Sequence, residues 1–400
     1  MLPAWGETPR LGRREGYYDD LEIVAYLNHA AMAPPSRPVR AAMAAAVEAH
    51  GRRALGAIGT WRRQRDELRR DLAELLGAEG AEQVALVPNT STAVAHLALC
   101  LPWHAGDVIL LSEGEFPANV TPWQRVAEVF DLEVALLPAP APEAFDAWWQ
   151  AFSKALERRP RLFAVSAVQF QTGLRMPLER IAEACRRAGT ELFVDAIQAC
   201  GAVPLHLAGL DYAAAGGHKW LTGPEGTGFL YVSPARVPDL VPRVAGWLSH
   251  ADPLAFLLRG PGHLRPDRPL RASVDAFELG TPNTVGAAGL GAAVRTLKAL
   301  GVPAIFGHIQ TYLDRLEPEL VTRRFRSARA TDPALRSGAL SVLPPEGVDG
   351  IALARALDRT VVSCGTPDGY LRFAPHWPND AEVELGPLLA AIDTALKKVT

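Results

Sequence analysis

Cysteine is scarce in this chain. Four residues in 400, Cys100, Cys185, Cys200 and Cys364, are too few and too scattered for a disulfide framework or a metal knuckle. A reducing cytoplasm is the expected setting, and no metal is expected. Charge of one sign is not in excess either. The 41 basic and 44 acidic residues leave a net charge of −3, which gives no electrostatic case for nucleic acid or an anionic membrane. Arg62, Arg63, Arg65, Arg69 and Arg70 alternate with acids, as a solvated helix face would. No apolar run reaches the roughly 18 residues that span a bilayer, and the opening MLPAWGETPR lacks the apolar core of a secretory signal. Internal repeats are absent, and a solvated loop explains the one low-complexity patch, PAPAPEAF. These absences leave a cytosolic globular protein, long enough at 400 residues to expect two domains.

From about residue 40 to 232, short runs rich in Val, Leu and Ile alternate with helix-period stretches. Strands are expected at 83–87, 108–111, 134–137, 162–168, 192–194 and 229–232, and helices at 61–76, 93–100, 120–129, 144–156 and 178–188. This alternation predicts an α/β architecture with a mainly parallel sheet covered on both faces, in which ligands bind at the carboxyl ends of strands. Residues 234–273 show no clear period and read as a long excursion over the site. The stretch 282–300 predicts a helix of small residues. It leads into helices at 305–320, 350–356 and 381–397 and strands at 339–343, 360–363 and 370–374.

The chemistry concentrates in residues 194–230. Asp195 stands at the carboxyl end of an apolar strand, and Lys219, 24 residues on, follows Gly216, Gly217 and His218 in a tight connection. Taken singly, the aspartate is a helix cap and the lysine a solvated surface group. Together they meet the needs of pyridoxal phosphate. Its aldehyde requires a lysine amine for a Schiff base, and its pyridine nitrogen requires an acid to stay protonated and draw electrons from a carbanion.

The motifs VDAIQ, GGHKW, GPEGTGFLYV and ELGTPN resemble the class V aminotransferase-fold group, from about Tyr26 to about Asn379. That group includes cysteine desulfurases, selenocysteine lyases, kynureninases, isopenicillin N epimerase-like proteins and small-molecule aminotransferases. The resemblance implies fold type I, with a mainly parallel sheet of the seven-stranded type, helices on both faces and a smaller C-terminal α+β domain. The corresponding division is an N-terminal segment at 1–25, a large cofactor domain at 26–283 and a small domain at 284–400. It also implies a homodimer with shared active sites and a small amino acid as substrate.

Residue by residue, the resemblance assigns the cofactor phosphate to Thr90 and Ser91 at a helix N-terminus, where unpaired amides favour an anion and an ordinary N-cap is the competing role. Phe116 would stack on the pyridine. Desulfurases carry histidine at that position and kynureninases Phe followed by Pro, so a proton-shuttling residue is missing there. Gln198 would reach the phenolic oxygen, and His218 the phosphate, although Gly216 replaces a phosphate-binding serine of many relatives. Thr281 would serve the partner subunit's phosphate or cap the helix that follows. Arg372, flanked by apolar residues, would hold a substrate carboxylate or an internal acid. His29 sits at the substrate edge or serves only a turn. Cys364, slightly out of register with the persulfide-forming cysteine of desulfurases, is expected not to be a nucleophile.

Transamination leads the functional expectation because the family contains many such enzymes. The alternative is β-lyase chemistry, cleaving a C–S or C–C bond, and third is epimerisation, suggested by the Lys219-Trp220 pair. A scaffold protein that has lost catalysis is opposed by the intact Lys219, Asp195 and Arg372.

Overall fold

The computed structural model describes residues 8–399, so the first seven residues, most of the stretch weighed for signal character, lie outside the described residues. The strands are β1 (Ala25–Leu27), β2 (Val84–Leu86), β3 (Val108–Ser112), β4 (Glu133–Leu137), β5 (Leu162–Ser166), β6 (Glu191–Asp195), β7 (Tyr212–Gly216), β8 (Gly228–Val232), β9 (Arg326–Ser327), β10 (Leu340–Leu343), β11 (Val362–Cys364) and β12 (Leu371–Phe373). The helices are α1 (Arg37–Arg53), α2 (Ile58–Leu75), α3 (Thr90–Cys100), α4 (Thr121–Phe130), α5 (Phe145–Leu156), α6 (Leu178–Ala188), α7 (Ala255–Leu258), α8 (Thr284–Leu300), α9 (Val302–Thr322), α10 (Gly350–Ala356) and α11 (Ala381–Val399).

Seven strands form the central sheet in the order β2-β8-β7-β6-β5-β3-β4. Only β8 opposes its neighbours, running antiparallel to β2 and β7, which matches the expected mainly parallel α/β sheet. Strand alternation divides the core in two. Phe163, Val165 and Val194 point to one face, where α2, α5, α6 and α8 supply apolar side chains. Leu162, Ala164 and Phe193 point to the other, covered by α3 and α4. Both faces are dry, so β5 to β8 are buried at every position and could be read as continuous apolar runs.

The C-terminal part holds a three-stranded antiparallel sheet, β12-β10-β9. The strand expected at 360–363 forms two residues later as β11 and pairs in parallel with β1, setting Leu27 opposite Cys364. Isolated bridges join Asn28 to Ala374 and Gly365 to Arg372, so the N-terminal segment is stitched into the C-terminal part. Helix α8 packs against α1 and α2, and α9 leaves it at a bend of 78°. Among the described residues no single helix is long and apolar enough to cross a membrane.

Candidate active site

The carboxyl ends of the sheet strands open into a cavity of about 630 Å³, lined by Thr90, Ser91, Phe116, Asp195, Gln198, His218, Lys219 and Arg372 among others. Strand β6 ends on Asp195, in register with Ser166 of β5. Lys219 follows β7 in a turn closed by the Thr222 amide donating to the Lys219 carbonyl at 2.9 Å. Thr222 takes a left-handed φ of 54°, an outlier for a β-branched residue.

Burial tunes both groups toward neutrality. Desolvation, with the nearby charge of Glu115, pushes the Asp195 carboxyl up to about 7 although the Ile197 amide donates to its Oδ1 at 3.0 Å. Desolvation, with Arg372 adding repulsion and Asp195 opposing, brings the Lys219 amine down to about 8. A buried carboxylate with a single hydrogen bond and an amine close to neutral pH are the partners that a pyridinium N–H and an aldehyde require, so these residues fit pyridoxal phosphate.

At the α3 end of the cavity, the Asn89 side chain caps the helix by accepting from the Thr92 amide at 2.8 Å. That leaves the Thr90 and Ser91 amides at the mouth of the helix. The Thr90 hydroxyl oxygen accepts from the Gly216 amide at 2.9 Å, which ties α3 to the end of β7. A Cβ at Gly216 would come within 3.0 Å of His218 Nδ1, so a serine there would displace His218. Phe116 is half exposed, with its ring centroid 5.3 Å from Lys219 Nζ. Its loop is fixed by the buried Glu115, which accepts from Asn119, the Ser166 amide and hydroxyl, and Gln169. Gln198 accepts from the Trp220 indole at 2.8 Å and gives one amide hydrogen to Ala30, keeping the other for the cavity.

Arg372 makes the opposite wall. Its Nη1 donates to the Phe170 carbonyl at 2.6 Å, and its Nε is buried with no hydrogen-bond partner. Among the described residues no acid pairs with it; the neighbour that favours its charge is the Cys364 thiol, and burial brings it down to about 10. The internal salt bridge weighed from the sequence is therefore not formed among the described residues. Cys364 lies in the same wall, half-buried on β11, with its thiol pushed up to about 12 by burial.

Three expectations need correction. His29 does not meet the cavity. It is buried behind it, its Nδ1 donating to the Ala374 carbonyl at 3.0 Å, because alternation after β1 turns Asn28 toward the cavity and His29 away. Thr281 is exposed and lines a separate cavity of about 190 Å³ with His96 and Gly226. The cap of α8 is Asn283, accepting from the Gly286 amide, and not Thr281. Arg65 and Arg69 are not solvated, since both pair with the buried Glu278 and so anchor the segment that carries Thr281. Residues that sequence reasoning missed are Asn28 and Phe170. Their signal was available, as Asn28 directly follows β1 and Phe170 lies four residues beyond the end of β5, whose carboxyl end faces the site.

Comparison with known proteins gives the same picture. The family model "Aminotransferase class-V" matches residues 25–366. Cysteine desulfurases of Yersinia pestis (strain Pestoides F) and Yersinia pseudotuberculosis serotype I (strain IP32953) are each 29% identical over 283 residues, 70% of this chain. The match spans 66% of those relatives, just under two thirds of their length. Among solved structures, apo cysteine desulfurase from Thermococcus onnurineus NA1 superposes with a TM-score of 0.81 at 23% identity, covering 94% of this chain and 95% of that one. The cystine C-S lyase C-DES, in complex with its product cysteine persulfide, gives 0.81 at 23% identity over 94% and 97%. A C-DES variant holds glycine covalently linked to its PLP cofactor. With a lysine and an aspartate set for that cofactor at the ends of β7 and β6, the chain belongs to the class-V aminotransferase family and is a pyridoxal-phosphate-dependent enzyme.

Proposed function

We propose that the enzyme cleaves the C–S bond of a cysteine-type amino acid by β-elimination. The observation that carries the amino-acid part is the unpaired guanidinium of Arg372 in the same cavity as Lys219, with its buried Nε free to bind a carboxylate. Sulfur chemistry is supported by the relatives, named as cysteine desulfurases and a cystine C-S lyase. They favour the lyase alternative over transamination.

When bound, the cofactor supplies an electron sink conjugated to the substrate's α-carbon. Asp195 keeps the pyridine end charged, Thr90, Ser91 and His218 bind the phosphate, Gln198 bonds the phenolic oxygen and Phe116 covers the ring. Arg372 orients the carboxylate. The Lys219 amine, held at about 8, takes the proton from the α-carbon. The Cβ–S bond then breaks with its electron pair going to sulfur, which departs and picks up a proton. The carbon fragment leaves as 2-aminoacrylate, which water converts to pyruvate and ammonia. Cys364 takes no part, because a thiol held at about 12 is ionised to only about one part in 10⁵ at neutral pH. Thr281, outside its own chain's cavity, completes the phosphate site of a second subunit in a cytoplasmic homodimer.

Incubating the enzyme with L-cystine or L-cysteine, with and without 2-oxoglutarate, tests the assignment. Pyruvate, ammonia and reduced or persulfidic sulfur are expected without the oxo acid. Alanine with a persulfide on Cys364 would establish desulfuration instead, and turnover only with 2-oxoglutarate would establish transamination.

A further inference from the structure

Lys219 and Arg372 belong to different sheets, and a buried histidine joins them. His376 is fully buried, outside the cavity lining, and follows β12 by three residues. Its Nδ1 accepts from the Trp377 amide at 2.7 Å, so Nε2 carries the proton and donates to the Trp220 carbonyl at 2.9 Å. Trp220 is the residue after Lys219. Its carbonyl is boxed from the other side by Gly201, where a Cβ would come within 2.4 Å of the oxygen, and its indole is held by Gln198. A Cβ at Gly338, just before β10, would strike the indole ring at 2.9 Å. The turn that presents Lys219, strained at Thr222, is therefore clamped to the short segment that also carries Arg372.

We infer that His376 is a positioning residue whose Nε2–H, by holding the Trp220 carbonyl, sets the placement of Lys219 relative to Arg372. It touches neither substrate nor cofactor. The inference depends on the family's cofactor and not on which substrate bond breaks. Its test therefore uses glycine as the probe, a ligand with the amine and carboxylate and nothing to eliminate.

The holoenzyme variants are His376→Leu, which removes the donor, and His376→Gln, whose amide restores a donor at the same reach. Two quantities are read: the pH midpoint of the bound cofactor's visible absorption, which reports the setting of Lys219, and the glycine dissociation constant from the spectral change, which reports Lys219 and Arg372 together. His376→Leu should weaken glycine by about tenfold and move the midpoint, as loss of one buried hydrogen bond allows. His376→Gln should stay within about threefold of wild type. A folded, cofactor-loaded Leu variant with wild-type midpoint and glycine affinity would overturn the proposal. So would a folded Gln variant as impaired as Leu. If the Leu variant does not fold, the Gln variant decides alone, and failure of both to fold would assign His376 to the fold and overturn the positioning role.

Discussion

The wall built by β6 and β7 holds a carboxylate and an amine that answer each other, whereas the wall built by β11 and β12 holds a guanidinium with no acid beside it among the described residues. Both are buried. In the first, desolvation raises Asp195 to about 7 and lowers Lys219 to about 8, so each titrates close to neutral pH even before a cofactor arrives. In the second, Arg372 stays charged at about 10, with its Nε unmatched. A buried cation without a partner costs stability, and such a cost persists at sites where a ligand supplies the partner. On the proposed function, one wall is complete for the cofactor and the other is completed by an anion that the substrate brings.

The hardest break is on the complete side. Lys219→Ala should lower turnover by about 10² to 10⁴, the usual contribution of a positioned acid–base group, and should abolish the borohydride-reducible link to the cofactor. Peptide mass analysis after reduction checks it, and a pyridoxyl adduct on another lysine would remove Lys219 from its place.

On the open side, Arg372→Leu should raise KM by about 10² to 10³ through loss of two charge-assisted hydrogen bonds. The same change should stabilise the cofactor-free protein by about 2 kcal/mol, because it removes an unpaired buried charge. Gain of stability with loss of affinity is the signature of a site built for a ligand, and chemical denaturation beside steady-state kinetics would read both. A loss of stability would instead point to a structural arginine.

How much of this contrast the sequence carried depends on the span of chain involved. Asp195 and Lys219 lie within one β-turn-β stretch, and so do Thr90, Ser91 and Phe116 relative to their own strands; local pattern was enough. Arg372 stood out by the cost of its apolar neighbours. Its companions did not, because Asn28 reaches the same wall only through the bridge to Ala374, and His376 acts on Trp220 across 156 residues of chain. His29 was misjudged by a single step of alternation. The solvated face assigned to Arg65 and Arg69 failed for a similar reason, since Glu278 lies more than 200 residues away. Thr281 lines a cavity apart from that of Lys219, and its proposed service to a second subunit rests on the resemblance alone.

The complete wall also shows itself in the pH dependence of stability. Asp195, raised from 3.8 to about 7, binds more protons folded than unfolded between those values, so its contribution to stability falls as pH rises through that window. Lys219, lowered from 10.5 to about 8, binds fewer protons folded than unfolded, so its contribution rises with pH above about 8. The cofactor-free protein should therefore be least helped by this pair near pH 7 to 8. Asp195→Asn should gain about 2 to 4 kcal/mol over wild type at pH 8 and nothing at pH 4. Denaturation curves of the two proteins at both pH values check this, with equal differences as the contrary result.

The smallest change is expected at Cys364. With its thiol protonated, Cys364→Ala should alter turnover of cystine by less than about threefold. A loss of ten times that size, with a persulfide trapped on the wild-type cysteine, would move the open wall from binding into chemistry.

The contrast itself is tested most directly by calorimetric titration of the Lys219→Ala holoenzyme with propionate, a carboxylate with neither amine nor sulfur. With the lysine gone, Arg372 is the cation left to hold the anion in that wall. One equivalent should bind per site, and the additional change Arg372→Leu should abolish binding. Propionate binding that survives Arg372→Leu, or fails in Lys219→Ala alone, would contradict a substrate wall built around an unpaired guanidinium.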